Sequence, residues 1–213
     1  MHFEILVEDI SGKEMLDILV PKIINPNNTY TIHSYKGIGT IPKGLKPKTD
    51  ASKRILLDQL PKLLKGYGKS YQDYEGVVII VPDLDTKDFN TFLNELKSIL
   101  NSCNPKPIAE FCIAIEEGEA WLLGDLNAIK KVYSSAKTSI LNSYVNDSIC
   151  GTWELLADSI YNGGHEKLKK LGFQEVGKMK SEWAKKISPE IDIEHNSSPS
   201  FCFFRDTLRA LEN

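Results

Sequence analysis

The sequence contains no long hydrophobic run, and its few cysteines are scattered. No stretch reaches the 18 or more apolar residues that a membrane-spanning helix needs, and the opening MHFEILVED carries acids where a signal peptide would carry a basic flank. The four cysteines form no C-x-x-C pair, which argues against the common zinc and redox motifs. These absences predict a cytoplasmic protein with reduced thiols and no membrane partner.

A strong charge of one sign is also lacking. The formal net charge is -3 and the pI is about 5.9, which argues against a protein that binds nucleic acid through a broad basic surface. Residues 36–69 are an exception, because they carry nine Lys and Arg residues against two Asp. This segment is either a solvated surface or a local patch for phosphates.

Nucleotide and hydrolase motifs are missing as well. The chain has neither the Gly-x-x-x-x-Gly-Lys-Ser/Thr phosphate loop nor a Gly-x-Ser-x-Gly elbow, and its four histidines stand in no recognisable triad context. The short run from Lys36 to Gly39 is a weak phosphate cradle. Lys36 itself remains a candidate for neutralising a backbone phosphate.

The composition is that of an ordinary folded protein. The chain has 213 residues, of which 41% are hydrophobic and 26% are charged. This length suits one well-cored domain. We expect a single domain over 1–213, with a core at about 1–135 and a helical extension at about 136–213.

Apolar periodicity predicts alternating strands and helices. Residues 2–8, 29–35, 77–81 and 108–115 are expected to be strands, and helices are expected at 15–23, 51–64, 89–100, 120–132, 152–171 and 201–211. The Gly163-Gly164 step should break or end part of the helix at 152–171. This order predicts an α/β fold, a Rossmann-like and mostly parallel sheet with helices on both faces plus extra C-terminal helices.

Acidic residues follow three of the predicted strands. Glu8 ends the first, Asp83 and Asp85 follow the strand at 77–81, and the fourth is followed by a cluster of Glu116, Glu117 and Glu119. Ligands of open α/β sheets bind beyond the carboxyl ends of the strands. Carboxylates brought together there would hold Mg²⁺ or Mn²⁺. We expect Glu8, Asp83 and Asp85 to be the principal ligands, with Glu119 and Glu116 as further acids that bind the metal or position water.

Several of these residues also have structural interpretations. Asp85 or Asp88 could cap the helix that begins at Phe89, and the serines before Phe201 are better explained as helix caps than as nucleophiles. Trp121 suits a core position better than a surface on which a base stacks. Asp125 is expected to cap or pair structurally.

Two segments resemble the Toprim domain, as found in OLD-type nucleases, and three further segments resemble a large family of small Toprim-like bacterial proteins. The two that carry the general resemblance are the strand ending in Glu8 with its Gly12 loop, and the strand followed by Asp83-Leu84-Asp85. The three more specific segments are Tyr35-Lys36-Gly37-x-Gly39, the run Glu119-Ala120-Trp121-Leu122-Leu123-Gly124-Asp125, and Asn196-Ser197-Ser198-Pro199-Ser200-Phe201.

The resemblance implies a function and a set of roles. Glu8 is expected to act as general acid/base or metal ligand, and Asp83 and Asp85 to hold Mg²⁺ or Mn²⁺. Gly12, Lys13 and Lys36 are expected to bind substrate. The implied activity is a metal-dependent phosphodiester hydrolase acting on DNA or RNA, and an ATPase partner is suggested by analogy alone.

Two other functions stay open at this point. The chain could be a non-catalytic binding or regulatory module that partners an ATPase, or a structural subunit whose acids are only surface charge. Metal binding without turnover would identify the module, and the subunit would show no stabilisation by metal. The oligomeric state is left open.

Overall fold

The structure is a computed structural model that describes residues 1–35 and 55–212. Within them a four-stranded sheet has the order β2-β1-β3-β4. Every pair of neighbouring strands is parallel, which confirms the predicted parallel sheet. The strands are β1 (His2–Val7), β2 (Thr29–Ser34), β3 (Gly76–Val81) and β4 (Ala109–Phe111). Lys36 and much of the basic segment lie outside the described residues.

Helices account for most of the remaining described chain. They are α1 (Ile10–Ile23), α2 (Leu56–Ser70), α3 (Phe89–Asn101), α4 (Glu119–Leu123), α5 (Leu126–Val132), α6 (Thr138–Leu141), α7 (Thr152–Ile160), α8 (Gly164–Lys169), α9 (Phe173–Ile187) and α10 (Pro199–Leu211), with a 3-10 helix at Ser188–Glu190 between the last two. None of the helices in the described part of the chain is both long and apolar enough to cross a membrane.

The two faces of the sheet pack against different helices. Side chains of a strand alternate between faces, so Phe3, Ile5 and Val7 point one way and Leu6 the other. The first face packs against α1 and the C-terminal helices, which together form one hydrophobic core. The second face packs against α2 and α3. Helices therefore cover both faces, as the sequence predicts, and the C-terminal helices share a core with the sheet.

Several predicted elements differ in length from those in the structure. β4 covers only three residues, although an isolated bridge between Asp83 and Ala114 continues the pairing beyond it. The helix predicted over 120–132 is two helices, because Asp125 caps α5 with its own side chain and starts a new helix there. The helix predicted over 152–171 is broken before Gly164, where Gly163 has a φ of 97° that favours glycine.

The register of the strands places three acids at one edge. Val7 of β1 lies opposite both Ser34 of β2 and Val81 of β3. Glu8 and Asp83 therefore follow neighbouring strands that end at the same level, as parallel strands with aligned ends require. The loop after β4 reaches the same edge and leads into Glu119 at the start of α4.

Candidate functional site

A small cavity lies at this edge of the sheet. Its volume is about 20 Å³, which is room for about one water-sized particle. Its polar lining comes from Glu8 after β1, Asp9 and Ser11 at the start of α1, Asp83 after β3, and Glu119 in α4. Three of the four predicted metal ligands, Glu8, Asp83 and Glu119, thus line the same cavity.

Glu8 and Asp83 are directly linked. The backbone N–H of Asp83 donates a hydrogen bond of 3.1 Å to Glu8 Oε2, which orients the Glu8 carboxyl group. Glu8 is only 7% exposed, and burial raises its pKa to about 8, with a further contribution from Asp85 and Asp9 and against the effect of that hydrogen bond. Burial and the nearby Glu8 also raise the pKa of Asp83 well above its usual value. The Glu8 carboxyl group therefore gains or loses its proton close to neutral pH.

The start of α1 forms the wall beside these two acids. Asp9 caps the helix by accepting hydrogen bonds from the N–H of Gly12 at 2.6 Å and the hydroxyl of Ser11 at 2.7 Å. A Cβ atom at position 12 would lie 2.6 Å from Cγ2 of Val7, so glycine allows α1 to approach β1 closely. Gly12, predicted to bind substrate, thus lines the cavity and has a packing role there.

Glu119 lines the cavity and forms an ion pair with a lysine. Glu119 is only 4% exposed, and its Oε2 lies 3.1 Å from Nζ of Lys180 in α9. The same ammonium lies 3.0 Å from Oε2 of Glu117. Burial opposes the charge of Lys180, but Glu119, Glu117, Asp9 and Asp83 outweigh it and raise the pKa of Lys180 well above its usual value. Lys180 is therefore a charged part of the site.

Lys180 was missed in the sequence analysis, as was the helix that carries it. The signal for the helix was present, because Val176, Met179, Trp183 and Ile187 recur at helical spacing. The role of Lys180 itself had no local signal, since its partners lie more than sixty residues earlier in the chain.

Asp85 lies close enough to Glu8 to act on its charge but does not line the cavity. Its side chain is 43% exposed and pairs with Lys87 at 3.0 Å. Its backbone has a φ of 51°, in the left-handed region that Asp tolerates better than most residues, and its N–H donates to the carbonyl of Glu116. Asp85 thus acts on the cavity through its charge.

Glu116 is turned away from the cavity. Its carboxylate accepts hydrogen bonds from the backbone N–H groups of Cys150, Gly151 and Thr152, and from the hydroxyl of Thr152. These groups form the amino-terminal end of α7, so Glu116 caps a helix from a distant loop. The prediction that Glu116 is an acid of the site is not supported by this placement.

Lys13 is the remaining predicted substrate-binding residue in the described chain. It forms an ion pair with Asp17, one turn along α1, at 2.8 Å. It also lines a shallow groove with His33, Ser34 and Tyr35 beside the edge strand β2. Lys13 is therefore on the surface near the site but outside the cavity.

The structural interpretations of the other motif residues are confirmed. Trp121 is fully buried, and Asp88, Asp125 and Ser198 cap α3, α5 and α10 with their side chains. Ser200 accepts a hydrogen bond of 2.9 Å from Nε1 of Trp121. These contacts explain the motifs around Trp121 and Ser198 as structural.

The donor atoms of the site suit Mg²⁺ or Mn²⁺, but the side chains that carry them are too far apart to coordinate one ion as they stand. Within residues 1–35 and 55–212, no three His, Cys, Asp or Glu side chains stand close enough together to form a ready metal site. The cavity nevertheless gathers the hard oxygen donors of Glu8, Asp83 and Glu119. The Asp83 carboxylate accepts no hydrogen bond from any described residue. Side-chain rotation would have to bring these oxygens to coordination distance.

Comparisons with known proteins identify no relative. No family model matches the chain, and no match is found among curated proteins or among solved structures. The functional conclusion therefore depends on the residues of the site themselves.

Proposed function

We propose that the chain is a Mg²⁺- or Mn²⁺-dependent phosphodiester hydrolase with a Toprim-like site. The observation that carries the proposal is the meeting of Glu8 and Asp83 in one buried cavity beyond two neighbouring parallel strands. Buried carboxylates repel one another, and this repulsion favours a bound cation. Surface acids with only a solubilising role would not be buried as Glu8 and Glu119 are.

Each acid has a distinct role in this proposal. Glu8 accepts the proton of the attacking water, since its carboxyl group lines the cavity and is held beside Asp83 by the hydrogen bond from the Asp83 N–H. Asp83 and Glu119 hold the cation, and Asp85 contributes negative charge close to Glu8. When bound, the cation supplies positive charge that activates the water and stabilises the leaving oxygen.

The substrate we propose is DNA or RNA. Lys13 lies on the surface beside the site, and the lysine-rich stretch that follows β2 in the sequence adds positive charge for a phosphate backbone. Lys36 belongs to that stretch. A cytoplasmic location is part of the same proposal.

Cleavage of labelled single- and double-stranded DNA and RNA in EDTA, Mg²⁺ and Mn²⁺ tests this function. We expect cation-dependent cleavage that falls roughly 100-fold or more in Glu8→Gln and in Asp83→Asn. Glu116→Gln is the matched control, because this acid follows β4 at the same edge but faces α7. Equal cleavage by the wild type and both site variants, or cleavage that persists in EDTA, would refute the proposal.

A binding or regulatory module that partners an ATPase is the second candidate. The ion pair between Lys180 and Glu119 favours it, because an internal cation allows the site to persist without metal or turnover. Metal-dependent stabilisation without cleavage of any of the four nucleic acids would support this candidate. The ATPase partner itself is suggested by the Toprim resemblance only.

A further inference from the structure

The ammonium group of Lys180 lies where a bound cation would interact with Glu119. Its Nζ is 3.1 Å from Glu119 Oε2 and 3.0 Å from Glu117 Oε2, and its side chain is 14% exposed. Lysine is rarely buried to this extent unless it is paired. The acids of the site therefore already have one cation, which the chain itself supplies.

The placement of Lys180 follows from the packing of α9. This helix packs along α1, whose first turn forms the wall of the cavity. Ala184 also lines the cavity, and residues four apart lie on the same face of a helix. The face of α9 that carries Lys180 and Ala184 is thus turned towards the acids, and its lysine pairs with Glu119 and Glu117.

Lys180 and a divalent cation would need the same carboxylate. The cavity that Glu119 lines has a volume of about 20 Å³, room for about one water-sized particle, and Glu119 Oε2 already lies 3.1 Å from Lys180 Nζ. Two cations in contact with one buried carboxylate also repel each other strongly, because the surroundings screen charge less than water does. Binding of an ion to Glu119 therefore requires Lys180 to withdraw.

We propose that Lys180 is an intramolecular competitor of the divalent cation. It pairs with Glu119 and Glu117 when the site has no ion, and it must release Glu119 when Mg²⁺ or Mn²⁺ binds. This inference rests on the proposed metal-dependent function and deepens it. It assigns to α9 the regulation of metal affinity at a site formed by the strand ends.

The test is the Mn²⁺ affinity of the full chain, measured by isothermal titration calorimetry. We expect Lys180→Met to lower the Kd for Mn²⁺ at least tenfold, because the variant removes the competing charge and keeps a side chain of similar length. Lys178→Met is the matched control, since Lys178 is an exposed lysine of the same helix that pairs with Glu175. Its Kd should equal that of the wild type.

Loss of Lys180 leaves two carboxylates without a counter-ion and destabilises the metal-free protein. If Lys180→Met does not fold, the comparison is made between Glu117→Gln and Glu117→Gln with Lys180→Met, where one negative charge is removed together with the lysine. The double variant should again bind Mn²⁺ at least tenfold more tightly than the single one. Circular dichroism checks that both are folded.

The outcomes separate this inference from the proposed function. An unchanged or higher Kd after removal of Lys180 overturns the competition, even if the wild type cleaves phosphodiesters. A tenfold lower Kd without cleavage of any nucleic acid by either protein supports the competition and refutes the hydrolase. Absence of Mn²⁺ binding in both the wild type and the variant overturns both.

Discussion

At the scale of single residues, Glu4 is a buried carboxylate that lies outside the candidate site and is stabilised by hydrogen bonds. Glu4 lies on β1, within a ring of four donors. Its Oε1 lies 2.5 Å from Nε2 of His33 and accepts from the hydroxyl of Tyr67 at 2.9 Å. Its Oε2 lies 3.0 Å from Nε2 of His2 and accepts from the hydroxyl of Tyr71 at 3.3 Å. Glu4 is therefore a fully hydrogen-bonded anion, unlike Asp83.

Because its hydrogen bonds stabilise the charged form of Glu4, we expect the folded protein to lose stability at low pH. Burial alone would raise its pKa, but Tyr67, His2 and His33 outweigh burial and lower it. A lowered pKa in the folded state means that Glu4 stabilises the fold above the unfolded pKa of about 4.3, and that this contribution is lost as pH falls through the folded pKa. Urea unfolding of the wild type should show this loss between about pH 5 and pH 3.

Glu4→Gln is the variant that checks the cause. It should lower the free energy of unfolding at pH 7 by roughly 1 to 3 kcal/mol, since hydrogen bonds to a charged group are lost. Below about pH 3 the variant and the wild type should converge. A difference that stays constant from pH 7 to pH 3 would show that the charge of Glu4 does not stabilise the fold.

At the scale of secondary-structure elements, α7 depends on a cap from a distant loop. The helix follows Gly151, which has a φ of 79° and no side chain to cap the helix. Glu116 supplies the acceptor for the first N–H groups, and a negative charge there also interacts favourably with the helix dipole. α7 and the loop after β4 are therefore energetically coupled.

Removal of this cap should affect stability and not the site. Glu116→Ala is expected to lower the free energy of unfolding by about 1 to 2 kcal/mol, which is typical of a lost helix cap. The Kd for Mn²⁺ measured by calorimetry should stay unchanged. A weaker Mn²⁺ affinity with unchanged stability would instead place Glu116 among the metal ligands.

The helix caps also show which parts of the structure can be predicted from the sequence. Asp88, Asp125 and Ser198 bond to N–H groups two or three residues away, so local sequence predicts them. The parallel sheet and the meeting of Glu8 with Asp83 follow from strand order and from the alignment of parallel strand ends. Glu116 and Lys180 have partners at least thirty-four residues away, and no local pattern specifies which partner such a side chain finds.

At the scale of the whole molecule, one aromatic cluster connects the C-terminal helices to the rest. Trp121 of α4 lies 5.7 Å from Phe201 and 5.0 Å from Phe204 of α10, measured between ring centroids. All three side chains are fully buried in the core that also contains Phe3 and Leu16. The sheet and the C-terminal extension should therefore unfold together.

Phe204→Ala tests this coupling. A large-to-small change in a closely packed core is expected to lower the free energy of unfolding by about 3 to 5 kcal/mol. Tryptophan fluorescence and far-ultraviolet circular dichroism should still report one coincident transition, at a lower urea concentration. Two separate transitions in the wild type would mean that the extension is an independent folding unit.

Because Lys180 lies in α9, the ribosome synthesises it well after the acids with which it pairs. The ribosome adds Lys180 sixty-one residues after Glu119, a delay of about 3 to 12 s at 5 to 20 residues per second. During this interval the nascent chain contains Glu117 and Glu119 without the ammonium that pairs with them in the folded protein. Burial of the Glu119 carboxylate is therefore less favourable until α9 has been synthesised.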